Sequence, residues 1–149
     1  MSQDTDEETR LPETIQNTLV HLLRDAADRI EAETARDLEM LGLNPRQLRV
    51  LVTLVDQGPS SQRPVGDLLG IDRTTMVAVV DELEKLELVE RKKDPDDRRA
   101  WLVTPTERGT STADWAIKMV RSAEARALES LTENQREMLR KLLLKLALS

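Results

Sequence analysis

The stretch Asp94-Pro95-Asp96-Asp97-Arg98-Arg99 lies between two strand-like runs, residues 88–91 and 100–103. Upstream, Asp72-Arg73-Thr74-Thr75 opens a short amphipathic helix. A helix with Arg and Thr in its first turn, followed by a hairpin with paired arginines at its tip, is typical of a winged helix-turn-helix. In that motif the helix enters the DNA major groove and the hairpin, called the wing, reaches the adjacent minor groove. DNA binding is therefore the leading hypothesis.

The composition favours one mostly α-helical protein. The chain has 149 residues, only 5 glycines and neither Phe nor Tyr, while Leu, Ala, Glu, Arg and Lys are abundant. The absence of cysteine excludes disulfides, thiolate zinc sites and thiol-based redox sensing. No apolar run approaches the ~20 residues that span a bilayer, and residues 1–10 do not resemble a signal peptide. We therefore expect a cytoplasmic protein without membrane contact.

The net charge of −6 does not exclude nucleic acid, because the charge is segregated along the chain. Residues 1–39 hold 11 acidic and 4 basic side chains, or −7, so the remainder holds 17 acidic and 18 basic, or +1. Residues 91–99 hold 5 basic and 3 acidic side chains, or +2. DNA responds to the local field within a Debye length of ~8 Å rather than to the total charge.

Helical periodicity and capping signals divide the chain into four segments. We expect a disordered acidic tail over 1–11, an N-terminal dimerisation helix over 12–42, the winged helix-turn-helix over 43–105, and C-terminal dimerisation helices over 106–149. Asn44-Pro45 predicts a helix start, and a second helix is predicted over 64–69. The terminal helices carry more Leu and Ile than a small winged domain can cover. Apolar helices at both chain ends predict a two-fold homodimer on a pseudo-palindromic operator.

Candidate base-reading residues lie in the first turns of the helix that begins after Asp72. Arg73 can form a bidentate contact with guanine, and Thr74 and Thr75 can bond phosphates or base edges. Val77 and Ala78 fall opposite the buried stripe, where they can contact thymine methyl groups.

The wing supplies the second set of candidates. Asp96 stands two residues before Arg98, a spacing that predicts an ion pair orienting this arginine into the minor groove. Arg99 is the second candidate for that groove. Basic residues before the tip are expected on phosphates: Arg91, Lys92 and Lys93.

These motifs resemble the MarR (multiple antibiotic resistance regulator) family. The resemblance rests on residues 65–76 and 80–84, on Leu88-Val89-Glu90-Arg91, on the Asp-Pro-x-Asp-Arg-Arg wing and on Thr106-Glu107-Arg108-Gly109. It implies a homodimeric winged-helix regulator, often a repressor whose DNA affinity falls when a small anionic or phenolic ligand binds. It also implies that Arg98 lies in the minor groove and Arg73 in the major groove. The chain departs from the family at Glu87, where glycine is common.

A ligand in such a family tends to bind where the terminal helices meet the winged domain. Six residues are candidates there, although core filling is the more ordinary role for the tryptophan: His21, Arg24, Met40, Leu48, Trp115 and Met119.

Other classes of function find little support in the sequence. One histidine and no cysteine make a metal site unlikely on composition, and no nucleophile spacing or phosphate loop suggests an enzyme or a cofactor. The alternative to a DNA-binding regulator is a winged-helix module that contacts a protein partner and does not act through DNA.

Overall fold

The computed structural model describes residues 11–149, so most of the predicted acidic tail lies outside the described residues. The described part is mostly helical with one two-stranded antiparallel sheet, as the sequence predicts. In chain order the elements are α1 (Glu13–Gln16), α2 (Leu19–Glu39), α3 (Pro45–Gln57), α4 (Gln62–Leu69), α5 (Arg73–Lys85), β1 (Val89–Lys93), β2 (Trp101–Pro105), α6 (Glu107–Ala127) and α7 (Glu133–Ala147).

The N-terminal segment differs from the single helix that periodicity predicts. The helix is interrupted at Asn17 and Thr18, where Thr18 is extended (φ −72°, ψ 143°) and caps α2. The Thr18 hydroxyl donates to the carbonyl oxygen of Ile15 at 2.8 Å. Short polar side chains offer the backbone such local alternatives to helical bonding, and two in succession end α1.

Side-chain caps mark the starts of α3, α5, α6 and α7. Asn44 and Gln47 form a reciprocal capping box at the start of α3, and Pro45 stands at its first position. Helix α4 begins at Gln62, before the predicted start at residue 64. Pro64 is tolerated there because N–H groups of the first helical turn have no partner within the helix.

The core lies beneath α5, between α3, the hairpin and α6. The sequence predicts a buried stripe of Met76, Val79, Val80, Leu83 and Leu86 on α5; the first four are buried, and Leu86 is partly buried against the core. These four belong to one cluster of buried side chains that also includes, from the neighbouring elements, Leu38, Leu48, Val50, Leu51, Leu54, Val65, Leu88, Val89, Val103, Ala113 and Ala116. Helix α5, the recognition helix of the predicted helix-turn-helix, and the wing are thus anchored to the same core.

Two backbone features join the hairpin to the helices on either side of it. Glu87 adopts φ +60°, the left-handed conformation usual for glycine, in the turn from α5 into β1. At the start of α6, a Cβ on Gly109 would lie 1.9 Å from the carbonyl oxygen of Leu88. Only glycine therefore lets α6 approach the base of the hairpin this closely.

Candidate nucleic-acid interface

Helix α5 presents its N-terminus through a capped first turn. The Asp72 carboxylate accepts the backbone N–H of Thr75 at 2.9 Å and the Thr75 hydroxyl at 2.6 Å. The Thr75 hydroxyl and backbone N–H together hold the pKa of the Asp72 carboxyl below its ordinary value. Arg73 and Thr74 follow in the first turn with exposed side chains, so both are accessible to DNA.

The Thr75 hydroxyl is less available for a contact with DNA than the sequence suggests. Its hydroxyl proton is committed to Asp72, and the residue is half-buried. A hydroxyl that already donates keeps lone pairs that can accept. A contact between Thr75 and DNA is therefore limited to a donor, such as a base amino group.

The exposed face of α5 continues through Val77 and Ala78, opposite the buried stripe. A groove of about 530 Å³ runs between this face, helix α4 and the wing. Half-exposed Trp101 of β2 lines it, with the Lys93 ammonium 4.0 Å from the centre of the indole ring. The remaining lining residues belong to α4, α5 and the turn between them: Gln62, Arg63, Gly66, Asp67, Ile71, Arg73, Met76 and Val77.

Asp94 and Asp97, rather than the predicted Asp96, shape the backbone at the wing tip. Asp94 accepts the backbone N–H of Asp96 at 2.8 Å, and Asp97 accepts that of Arg99 at 3.0 Å. In the part of the chain that is described, no ion pair joins Asp96 to Arg98, so the contact on which the orienting role of Asp96 depends is not formed here, and that role stays a prediction. Aspartates bonded to a backbone two residues ahead form tight turns, which Asp-Pro-Asp-Asp signals in the sequence.

The Arg91 side chain is engaged by three side chains of the winged domain. Its guanidinium donates to Asp81 at 2.6 Å, to Glu84 at 2.5 Å and to the Gln62 side-chain oxygen at 3.1 Å. The side chain is only 23% exposed. Arg91 therefore holds elements of the winged domain together here. These contacts compete with the phosphate contact that the sequence predicts, which stays a prediction.

The other wing cations remain accessible. Arg98 and Arg99 are exposed at the tip, while Lys92 is exposed and paired with Glu90 at 2.5 Å. Lys93 is exposed over Trp101. Recognition helix and wing thus place Arg73, Lys92, Lys93, Arg98 and Arg99 on exposed positions of one small domain.

The six predicted ligand residues are not enclosed together within one chain. Leu48 is part of the buried core, whereas Met40 is 81% exposed and Trp115 is 57% exposed, so Trp115 does not fill the core. His21 pairs with Asp25 at 3.4 Å along α2, Arg24 is exposed, and Met119 is half-buried. The ligand set stays a prediction.

A second groove, of about 740 Å³, lies between α6 and α7 and reaches Ile30 of α2. Helix α7 buries none of its residues, and its apolar side chains Met138, Leu142, Leu143, Leu144 and Leu146 are exposed. None of the helices within residues 11–149 has the length and apolar character needed to span a bilayer.

Over the same residues, His, Asp and Glu do not form a metal-binding group of three.

Comparison with known proteins decides the family. A family model described as MarR family matches residues 41–100, which hold α3, α4, α5 and most of the wing. The HTH-type transcriptional repressor NicR of Pseudomonas putida is 32% identical over 128 residues, covering 84% of this chain and 79% of NicR. The chain belongs to the MarR family. It is a DNA-binding transcription regulator with the winged-helix fold of that family.

Solved structures of similar proteins share this fold over nearly the whole chain. The repressor CouR bound to a 23-mer DNA duplex is 30% identical, with a TM-score of 0.78, and covers 93% of this chain and 99% of CouR. Bordetella bronchiseptica BpsR, whose DNA binding is regulated by 6-hydroxynicotinic acid, is 28% identical with a TM-score of 0.74, covering 92% and 98%. CouR from Rhodococcus jostii RHA1 has also been solved bound to p-coumaroyl-CoA, at 31% identity and a TM-score of 0.74, covering 91% and 96%. NicR and CouR are both named as transcriptional repressors, which points to a non-enzymatic role.

Proposed function

We propose that this MarR-family protein is a homodimeric repressor that binds a pseudo-palindromic operator and releases it when a small ligand binds. The observation that carries the DNA-binding part is the shared placement of two exposed groups on one domain. Arg73 and Thr74 extend from the capped N-terminus of α5, and Arg98 and Arg99 extend from the wing tip. Such a pair of elements fits adjacent major and minor grooves.

The residues of the proposed interface fall into three roles. Arg73, Thr74, Val77 and Ala78 read base edges from α5, with Thr75 as an acceptor. Arg98 and Arg99 enter the minor groove, and Lys92 and Lys93 neutralise phosphates. Arg91 is left out of this set because its side chain bonds to Asp81 within the domain, and Asp96 because its side chain forms no ion pair with Arg98 in the described residues.

Two arginine substitutions test the interface. Arg98→Ala and Arg99→Ala should each weaken binding to the intergenic DNA beside the protein's own coding region by at least about tenfold, since a charge-assisted contact is lost. Both side chains are exposed, so the free energy of unfolding should stay near that of the parent. Parent-like binding by both variants would contradict the wing assignment.

Homodimerisation is supported by the apolar surface of the terminal helices. On α2, Leu19, Val20 and Leu22 are exposed, and α7 exposes a run of leucines next to the groove between α6 and α7. Apolar surface of this extent at both chain ends is usually covered in a symmetric dimer. Two recognition helices would then lie about 34 Å apart, one turn of DNA.

The dimer has a direct test. Leu144 is 54% exposed and lines the groove between α6 and α7, so Leu144→Asp should leave the monomer folded and shift its sedimentation toward a monomer. The same variant should lose DNA affinity, because each half-site is then bound alone. A variant that still sediments as a dimer would contradict the proposed interface.

The proposals of repression and of a response to a ligand rest on relatives of this protein. NicR and CouR are named as repressors, CouR has been solved with p-coumaroyl-CoA, and BpsR responds to 6-hydroxynicotinic acid. We infer a small anionic or phenolic ligand for this protein. Titrating 6-hydroxynicotinic acid and p-coumaroyl-CoA into the protein–DNA complex tests that class, and a transcription reporter carrying the same DNA tests repression.

A further inference from the structure

Arg91 of β1 joins three elements of the winged domain through one side chain. Its guanidinium donates to Asp81 and Glu84 of α5 and to the Gln62 oxygen of α4, while its backbone N–H donates to Glu84 at 3.1 Å. In the sheet register Arg91 is paired with Val103, and the backbone of Val103 is bonded in both directions to Ser60 before α4. The hairpin is thus held to α4 and α5 at this level.

Beyond this level the hairpin has little support from the rest of the domain. Side chains of Lys92 and Lys93 are exposed, and their partners are within the hairpin, on Glu90 and Trp101. From Pro95 to Arg99 every residue is exposed. Among the hydrogen bonds and ion pairs of the described residues, the outermost attachment of the wing to the recognition helix is therefore the Arg91 node, defined here as Arg91 with Asp81, Glu84 and Gln62.

We propose that Arg91 is a positioning residue that fixes the wing tip relative to the recognition helix, and so sets where the minor-groove contact falls relative to the major-groove contact. This inference deepens the proposed DNA-binding function and rests on it. A planar guanidinium with several fixed donors can hold two carboxylates and an amide at once, whereas an ammonium on a flexible stem cannot fix their geometry. Arginine rather than a mere positive charge is therefore required.

The node also has an electrostatic effect that must be separated from positioning. Asp81 and Glu84 are carboxylates on the DNA-reading helix, and Arg91 offsets their repulsion of phosphates. If charge alone mattered, the isosteric double variant Asp81→Asn with Glu84→Gln would bind DNA more tightly than the parent. If positioning matters, the same variant releases the wing and weakens the contact at the tip.

The experiment compares footprints on the palindromic duplex that the parent enriches from a randomised DNA library. Dimethyl sulfate reports guanines in the major groove, and hydroxyl radicals report the sugars that line the minor groove. Arg91→Lys and the Asp81→Asn, Glu84→Gln double variant should keep major-groove protection and lose at least half of the flanking minor-groove protection. Arg108→Lys is the matched control, because Arg108 forms a single exposed ion pair with Glu87 at 3.1 Å at the base of the hairpin.

A readout without DNA separates failure of this inference from failure of the proposed function. Amide hydrogen exchange in the hairpin, at Asp94 and Ala100 for example, should be several-fold faster in Arg91→Lys than in the parent and in Arg108→Lys. Unchanged exchange and an unchanged footprint would overturn the positioning role, as would tighter binding by the double variant. Uniform loss of both protections with a lower free energy of unfolding would also overturn it, since Arg91 would then be a general structural residue. If the parent enriches no sequence, the proposed function fails, and hydrogen exchange alone decides whether Arg91 holds the wing.

Discussion

The backbone N–H of Arg99 donates a hydrogen bond of 3.0 Å to the Asp97 carboxylate at the tip of the wing. A second such bond, from Asp96 N–H to Asp94, lies on the other side of the tip. The two aspartates fix the backbone from which Arg98 and Arg99 extend. Preorganising a mobile hairpin in this way reduces the ordering cost when it enters a groove.

Asp97→Ala should weaken DNA binding more than Asp96→Ala. Loss of the Asp97 acceptor loosens the turn that carries Arg99, a change of about 1 kcal/mol, or roughly fivefold in affinity. The Asp96 side chain has no ion pair with Arg98 in the described structure, and its removal only takes a negative charge away from DNA. Fluorescence anisotropy with a labelled operator measures the DNA affinity of both variants. Equal or reversed losses would restore the role that sequence spacing assigns to Asp96.

Glu87→Gly should be more stable than Glu87→Ala by about 1 kcal/mol, because φ +60° is costly for a residue with a Cβ. Urea unfolding measures the difference between the two variants, which both lose the exposed ion pair with Arg108. The same two substitutions at Lys118, on the exposed face of α6, are the control, because there the order of stability should be reversed. There alanine should be more stable than glycine by about 1 kcal/mol.

Gly109→Ala should be strongly destabilising. Its added methyl group would overlap the Leu88 carbonyl oxygen, a backbone atom that cannot rotate away. We expect a loss of about 3 kcal/mol in the free energy of unfolding, at the upper end for overpacked sites. Gly70→Ala is the control: its φ is +65°, in the left-handed helical region, but no atom lies within 4 Å, so only the backbone cost of about 1–2 kcal/mol applies. Similar losses at both sites would contradict the close approach of α6.

The cap of α5 predicts a pH dependence. Hydrogen bonds from Thr75 lower the pKa of Asp72 in the folded protein below 3.8. The ionised cap therefore stabilises the fold fully above pH 3.8, and this contribution is lost as the pH falls through the lower folded value. Asp72→Asn keeps a capping acceptor that does not titrate. The stability difference between parent and variant, from urea unfolding, should be constant near neutral pH and change only below 3.8. A difference that is constant to the lowest pH would contradict the ionised cap.

Local sequence signals predicted most of the fold because each acts within a few residues. Asn44 before Pro45, Asp72 before Thr75 and Thr106 before Gly109 each mark a helix start that the structure contains. The strand-like runs 88–91 and 100–103 similarly identified the strands, within two residues of their bounds. The break at Asn17 and Thr18 escaped notice because periodicity continues across it.

Partners of charged side chains were not predictable in the same way. Spacing paired Asp96 with Arg98, but the turn instead uses Asp97 with the backbone of Arg99. The sequence makes Arg91, Lys92 and Lys93 equivalent candidates for phosphate contacts, although the partners of Arg91 lie on α4 and α5. Such contacts join residues that are distant in sequence, so only the packing of the elements decides them. Acidic residues on one face of a DNA-reading helix were the available signal that a cation lies opposite.

The most direct test of the central claim is salt-titrated binding of the intact protein to the intergenic DNA beside its own coding region. A scrambled fragment of equal length is the control. We expect tight binding to the intergenic DNA alone, with log affinity falling linearly with log salt by about 0.9 for each neutralised phosphate. Equal and weak binding to both fragments at every salt concentration would contradict it.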